Sequence, residues 1–217
     1  AMENSNFKEY KFENYDVRGL KLEINFSKSD SIKIKAHEEI NIPIENDIDE
    51  SFEPLLFGID MNLEIINNIN DLKGKKMILL DGHHRYEYLK RNNIDKSVEI
   101  VLISTEDVQI LSYPSYLLIE QKKFLEILEN YNFSNKASSK FFVSLDDIKF
   151  FNNEIENIYE LYAFKNLCFR NEYISSVNHD NQLNDKIIIH FTPIQVSEIV
   201  ESDTLFPPKS TWITPRL

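Results

Sequence analysis

The sequence predicts an α+β protein with a small mixed sheet, and three stretches carry that reading. "LKLEINF" (20–26) alternates apolar and polar residues, as a half-buried strand does. "MILLD" (77–81) is a continuous apolar run ending in an acid, the pattern of a strand buried on both faces, and it passes directly into the helical-looking "HHRYEYLKRNN". "KIIIHF" (186–191) is a third strand, followed by "TPIQVSEIVES", whose Thr-Pro start suits a helix N-cap and first position.

The other elements follow in chain order. Residues 1–19 are polar and aromatic, with Gly19 read as a turn. "IKIKAHEEINIPI" (32–44) opens as a second alternating segment. Leu55 to Ile59, led by Pro54, reads as a short buried strand. "LEIINNIN" (63–70) fits a strand or a sheet edge, and "DLKGKK" a turn centred on Gly74. The helix after "MILLD" carries Lys90 and Arg91 late, where cations favour a helix end. "SVEIVLIS" (97–104) is the next strand. "LLIEQKKFLEILENY" (117–131) has apolar residues close to a 3.6 period and predicts a helix; "FFVSL" predicts a strand and 153–169 another helix. The tail "TLFPPKSTWITPRL" reads as irregular and Pro-rich.

Composition narrows the function. The 217 residues, 42% of them hydrophobic, suit one domain or two small lobes with a sizeable core. A formal charge of −12 disfavours general nucleic-acid binding, which needs a basic footprint. Cys168 is the only cysteine, so neither an intramolecular disulfide nor a cysteine-based metal site can form. No apolar stretch approaches the roughly 18 residues of a membrane span, and the polar beginning shows no signal peptide. The expectation is a cytoplasmic protein without nucleic-acid or membrane partners.

Three clusters carry chemistry. In "DGHHR" (81–85) a helix N-terminus offers unpaired N–H groups and a partial positive charge, a ready site for anions. Gly82 permits close approach, Arg85 suits bidentate phosphate contact, and His83 and His84 add donors. Asp81, placed at the N-cap, either caps the helix or holds a divalent cation. The plain alternative is an ordinary cap beside surface histidines. Zinc is disfavoured, because adjacent histidines diverge on a helix and no third ligand is close. A P-loop motif is absent. The second cluster, His37-Glu38-Glu39, supplies a carboxylate of the kind an alcohol kinase needs beside its hydroxyl, or merely solvated acids. The third, Lys209-Ser210-Thr211-Trp212, offers a charge and two hydroxyls on a Pro-stiffened strip, or a tail that packs Phe206 and Trp212 on the core.

Together these clusters resemble the free serine kinases, whose fold is shared with ParB-type partition CTPases and sulfiredoxin. "IKIKAHEEI" looks like that family's Lys-x-His-Glu segment, "MILLDGHHRYEYLKRNNIDKSVEIVLI" is similar to its strand–helix–strand unit, and "SYPSY" has a Tyr-Pro counterpart. "KIIIHFTPIQVSEIVESDTLFPPKST" resembles its closing strand, helix and Pro-Lys-(Ser/Thr)-Thr motif, and related bacterial proteins carry both DGHHR and PPKST. The resemblance covers roughly 32–116 and 186–216 and leaves 117–185 unmatched.

It implies a ParB/sulfiredoxin-like mixed sheet with helices and a C-terminal α/β portion. The implied division is a nucleotide-binding lobe at 1–116 and a lobe at 117–217 that completes the acceptor site. The implied activity is transfer of a phosphoryl group from ATP or ADP, with Mg²⁺, to free L-serine or a close hydroxy amino acid. In that reading Glu38 is the acid/base and Glu39 a weaker candidate. Asp81 positions Mg²⁺ or the attacking group, and Gly82, His83, His84 and Arg85 cradle phosphates. Lys209, Ser210, Thr211 and Trp212 face the acceptor. Trp212 stands where the archaeal serine kinase pattern has Arg, which bears on acceptor choice. The rival implication is a ParB-type nucleotide-binding regulatory module without kinase activity.

Overall fold

The computed structural model describes residues 7–29, 31–40, 53–137, 139–177 and 184–217. In chain order the first elements are β1 (Lys8–Lys11), β2 (Arg18–Ile24), β3 (Lys33–Lys35), β4 (Leu55–Ile59), β5 (Lys76–Asp81), α1 (His83–Arg91) and β6 (Val98–Ser104). There follow β7 (Gln109–Ser112), β8 (Ser115–Leu117), α2 (Gln121–Asn130), β9 (Phe142–Leu145), β10 (Ile148–Phe151), α3 (Ile158–Arg170), β11 (Ile174–Ser176), β12 (Ile188–Phe191), α4 (Val196–Glu201) and β13 (Thr211–Thr214). The chain forms two compact units, one of residues 1–109, 196–205 and 213–217, the other of 110–195 and 206–212. No helix among the described residues is long and apolar enough to cross a membrane.

The first unit holds a six-stranded mixed sheet ordered β1-β2-β6-β4-β5-β3. β4 runs parallel to β6 and antiparallel to β5, and β3 runs parallel to β5. The apolar runs at 55–59 and 77–80 become its central strands, buried along their whole length. On one face Leu22, Ile24, Leu55, Phe57, Ile59, Met77, Leu79, Ile100 and Leu102 form a cluster, and Tyr86 and Leu89 of α1 pack on it. Each such side chain contributes about 1.5–3 kcal/mol on burial, so this cluster fixes α1 against the end of β5.

The second unit holds a five-stranded antiparallel sheet ordered β10-β9-β12-β8-β11. α3 begins after Asn157, whose side chain accepts the Glu160 N–H at 3.0 Å, so the helix expected over 153–169 starts later, at a proper cap. It buries Leu161, Tyr162, Phe164, Lys165 and Cys168.

Several local expectations are corrected. Gly19 lies inside β2, paired with Tyr10. The 63–70 stretch forms 3₁₀ turns at Leu63–Ile65 and Ile69–Leu72, closed by Asn62 and Asn68 caps. Leu117 belongs to a strand, because Ser115–Leu117 finds partners in β11 and β12 that no local pattern reveals; helix α2 starts only at Gln121. Thr192 caps no helix: its Oγ1 accepts the Phe142 N–H at 2.8 Å, and α4 begins at Val196. The tail is not irregular throughout, since Thr211–Thr214 is a strand paired with β7. The alternating segment is a strand only at Lys33–Lys35, and 41–44 lies outside the described residues.

Candidate functional site

The parallel register Lys35↔Ile78 carries the chain beyond β3 toward the carboxyl end of β5, where Asp81 is the last strand residue. His37 lies on that path. It is 1% exposed, and its Nδ1 sits 3.0 Å from the Leu79 carbonyl, a pairing that requires Nδ1 to carry the proton and donate. Its Nε2 then faces Glu38, 3.8 Å from Oε2, and the Glu38 side chain is itself 16% exposed. Glu39 is exposed. Of the two adjacent acids, only Glu38 is held against buried structure.

The His37 ring meets the His83 ring edge to face, with centroids 5.0 Å apart. Burial is the main cause pushing His37 down to about 3, with the His83 charge adding to it and the Leu79 carbonyl opposing it. Burial likewise pushes His83 down to about 4; Asp81 pulls the other way and His84 adds to the drop. Both rings are neutral at pH 7. His83 Nε2 is a buried polar atom without a hydrogen-bond partner among the described residues.

Gly82, not Asp81, occupies the N-cap of α1, at φ 94 and ψ 30, and no side chain caps the helix. Asp81 is half-buried at the strand end instead, paired with Leu56 across a bulged register. The first intrahelical bond runs from the Tyr86 N–H to the Gly82 carbonyl at 2.9 Å, so the N–H groups of His83, His84 and Arg85 have no intrahelical acceptor. No acid lies in the first turn, and Lys90 and Arg91 occupy the last. This is an anion-attracting helix end. Gly82 is also forced sterically, because a Cβ there would lie 2.4 Å from Leu55 Cδ2.

Arg85 is placed differently from the sequence expectation. Its guanidinium donates to the carbonyls of Glu53 and, at 3.4 Å, Pro54, tying the entry to β4 onto α1. His84 is exposed. Among the described residues no group of three or more His, Cys, Asp or Glu side chains could hold a metal ion. Asp81 is the available ligand for Mg²⁺, an ion that commonly takes one or two carboxylates and completes its shell with phosphates and water. The residues fit Mg²⁺ on those terms, and not as a dedicated protein cage.

The first unit thus gathers Glu38, Asp81, Gly82, His83, His84 and Arg85. Lys209, Ser210, Thr211 and Trp212 belong to the second unit. There Lys209 is exposed and takes a left-handed backbone, φ 58. Ser210 is buried and its hydroxyl donates to the Pro207 carbonyl; Thr211 is buried too. Trp212 is half-buried, edge-on to Tyr113.

Sequence reasoning missed Lys165. It is 2% exposed, and its Nζ donates to the carbonyls of Tyr113 and Lys209, each at 3.2 Å. The rings of Tyr162, Phe169 and Phe191 lie within cation–π range. A signal existed: Leu161, Lys165 and Cys168 share one helix stripe, so a lysine stands on the apolar face.

No family model and no curated protein matches the chain. Solved structures do match in fold. SbnI with C-terminal truncation, from Staphylococcus aureus, aligns with a TM-score of 0.60 at 12% identity, over 89% of this chain and 82% of its own. Free serine kinase in complex with AMP aligns with a TM-score of 0.52 at 13% identity, over 94% and 92%. A variant of free serine kinase in complex with ADP aligns with a TM-score of 0.54 at 13% identity, over 94% and 92%. The chain therefore has the same α+β fold as these proteins, across most of its length.

Proposed function

We propose that this chain is a nucleotide-dependent kinase that phosphorylates the hydroxyl of a small amino acid, free L-serine or a close hydroxy amino acid, with O-phospho-L-serine as the product from serine. One observation carries the reading. Within a single unit, a half-buried carboxylate (Glu38), a second carboxylate (Asp81) and an uncapped, acid-free helix N-terminus lie at the carboxyl ends of the parallel strands β3 and β5. Alcohol phosphorylation needs a proton acceptor beside the hydroxyl and positive potential around the phosphoryl group.

In this reading the acceptor oxygen attacks the terminal phosphorus of ATP or ADP. Its proton passes to Glu38, and the bond from phosphorus to the bridging oxygen breaks, releasing the shortened nucleotide. The N–H groups of His83 and His84, with Gly82 allowing close approach, cradle the phosphates, and Arg85 holds the turn that presents them. Asp81 would hold Mg²⁺, which when bound neutralises phosphate charge. His37, fixed by the Leu79 carbonyl, limits the freedom of Glu38. The fold shared with AMP- and ADP-bound free serine kinase supports the reading.

The test is direct. The protein is incubated with Mg²⁺, ADP or ATP, and serine, homoserine or threonine, and the products are read by mass spectrometry. A phosphorylated amino acid is expected with at least one pair. Folded protein that yields none across the panel refutes the kinase reading.

A further inference from the structure

The second unit contains a cavity of about 500 Å³ that phosphoryl transfer, as drawn above, does not use. That volume is within the roughly 300–1,000 Å³ range of small-molecule sites. Tyr113 and Trp212 form one part of its wall, edge to face with centroids 5.5 Å apart, and Phe142 and Phe191 also line it. Besides the Tyr113 hydroxyl and the Trp212 indole N–H, His190 and Ser112 break the apolar surface. Ser112 Oγ accepts the Phe191 N–H at 3.2 Å, which leaves its own O–H to donate. His190 is held below its usual range first by burial and then by the Lys165 charge, so it is a neutral ring with one N–H.

A free amino acid is poorly matched to such a lining. Its carboxylate and ammonium would lose water without gaining a counter-charge, which is unfavourable. Lys165, the cation nearby, already donates to two carbonyls. A flat apolar ring suits the aromatic walls, and a single acceptor atom suits the two donors.

We propose that this cavity binds an uncharged, planar aromatic group bearing one hydrogen-bond acceptor, its ring against Trp212 and Tyr113 and its acceptor taken by His190 and Ser112. The site lies within the second unit and is independent of the kinase reading. A titration without nucleotide or amino acid tests it alone, and absence of a phosphorylated product would not bear on it.

Acetophenone, a ring with one carbonyl oxygen, is the probe. It is titrated into the full chain while the emission of Trp212, the only tryptophan, is followed. A saturable change is expected at about millimolar concentration, given the probe's size. Val177→Phe fills the cavity and should weaken binding by about tenfold or more. His190→Phe keeps a ring but removes the N–H and should also weaken binding, by about tenfold. Cyclohexyl methyl ketone should bind several-fold more weakly than acetophenone. A folded chain with no saturable change overturns the proposal, as does unchanged affinity in both variants. Equal binding of the cyclohexyl analogue overturns the aromatic assignment.

Discussion

Replacing Gly82 by alanine separates two costs at the turn that aims α1. One is conformational: φ 94 lies in the left-handed region, where a side chain costs about 1–2 kcal/mol. The other is steric. The new Cβ would stand 2.4 Å from Leu55 Cδ2 and 3.0 Å from Arg85 Nη2. Arg85 is a long side chain and can yield, but Leu55 is 1% exposed in β4 and has little room. Overpacking of this kind costs about 1–3 kcal/mol, so Gly82→Ala should destabilise by about 2–5 kcal/mol in total. Gly74 is the control. Its φ is 73, yet a Cβ there meets nothing within 4 Å, so Gly74→Ala carries the conformational cost alone. The assay is urea unfolding followed by circular dichroism, comparing midpoints at constant m. In a Leu55→Ala background, with the obstacle removed, the Gly82→Ala increment should fall to that of Gly74→Ala. Equal costs for the two glycines in the wild-type background would refute the crowding argument.

Glu38→Gln should lower turnover about 10²–10⁴-fold, read as phosphoserine formed, with nucleotide affinity nearly unchanged. Acid should destabilise the protein through His37 and His83. Their folded values, about 3 and about 4, lie below the 6.5 of an ordinary histidine, so the unfolded chain binds these protons first. Their contribution is fully present above about pH 6.5 and falls toward pH 4 by up to about 1.4 kcal/mol per pH unit for each ring. His37→Gln should reduce that slope by one proton, measured by urea midpoints across pH. Lys165→Met leaves the Tyr113 and Lys209 carbonyls without their cation and should cost about 1–3 kcal/mol. It should also raise the His190 titration point in NMR, because the Lys165 charge lowers it. Arg85→Ala should destabilise the protein by about 1–3 kcal/mol and weaken nucleotide binding with little change in its salt dependence; a marked loss of salt dependence would indicate that Arg85 touches phosphate.

Much of the first unit was legible because its signals are local. The runs at 55–59 and 77–81 are apolar at every position but Gly58 and the closing Asp81, and a strand buried on both faces needs that pattern. The helix after Gly82 carries both its punctuation and its late cations. The failures were non-local. Ser115–Leu117 is a strand only because β11 and β12 pair with it, and Thr211–Thr214 only because β7 does. Thr192 looked like a cap because Thr-Pro precedes a helical pattern, but Phe142 claims its hydroxyl. At the site, the order of Glu38, Asp81 and Gly82 was visible, whereas the partners of His37 and Arg85 were not. A side chain hydrogen-bonded to a backbone carbonyl leaves no mark on the sequence of the strand that supplies it.

The position of Arg85 changes where the anion-binding capacity of this turn comes from. A sequence shows an arginine at a helix start, and phosphate is the natural partner for it. In the structure its planar fork is engaged with two successive carbonyls, those of Glu53 and Pro54, and its Nη2 closes over the space a Gly82 side chain would need. The positive potential then comes chiefly from the helix itself, about half a charge at its N-terminus, unopposed by any acid in the first turn. Such a site depends on backbone geometry more than on side-chain charge. Gly82 sets the direction of the N–H groups, Leu55 and Arg85 leave Gly82 no alternative residue, and the cluster beneath Tyr86 and Leu89 keeps α1 in register with β5. A lysine at position 85 would preserve the charge and lose the fork, so charge conservation there is the wrong criterion for predicting function.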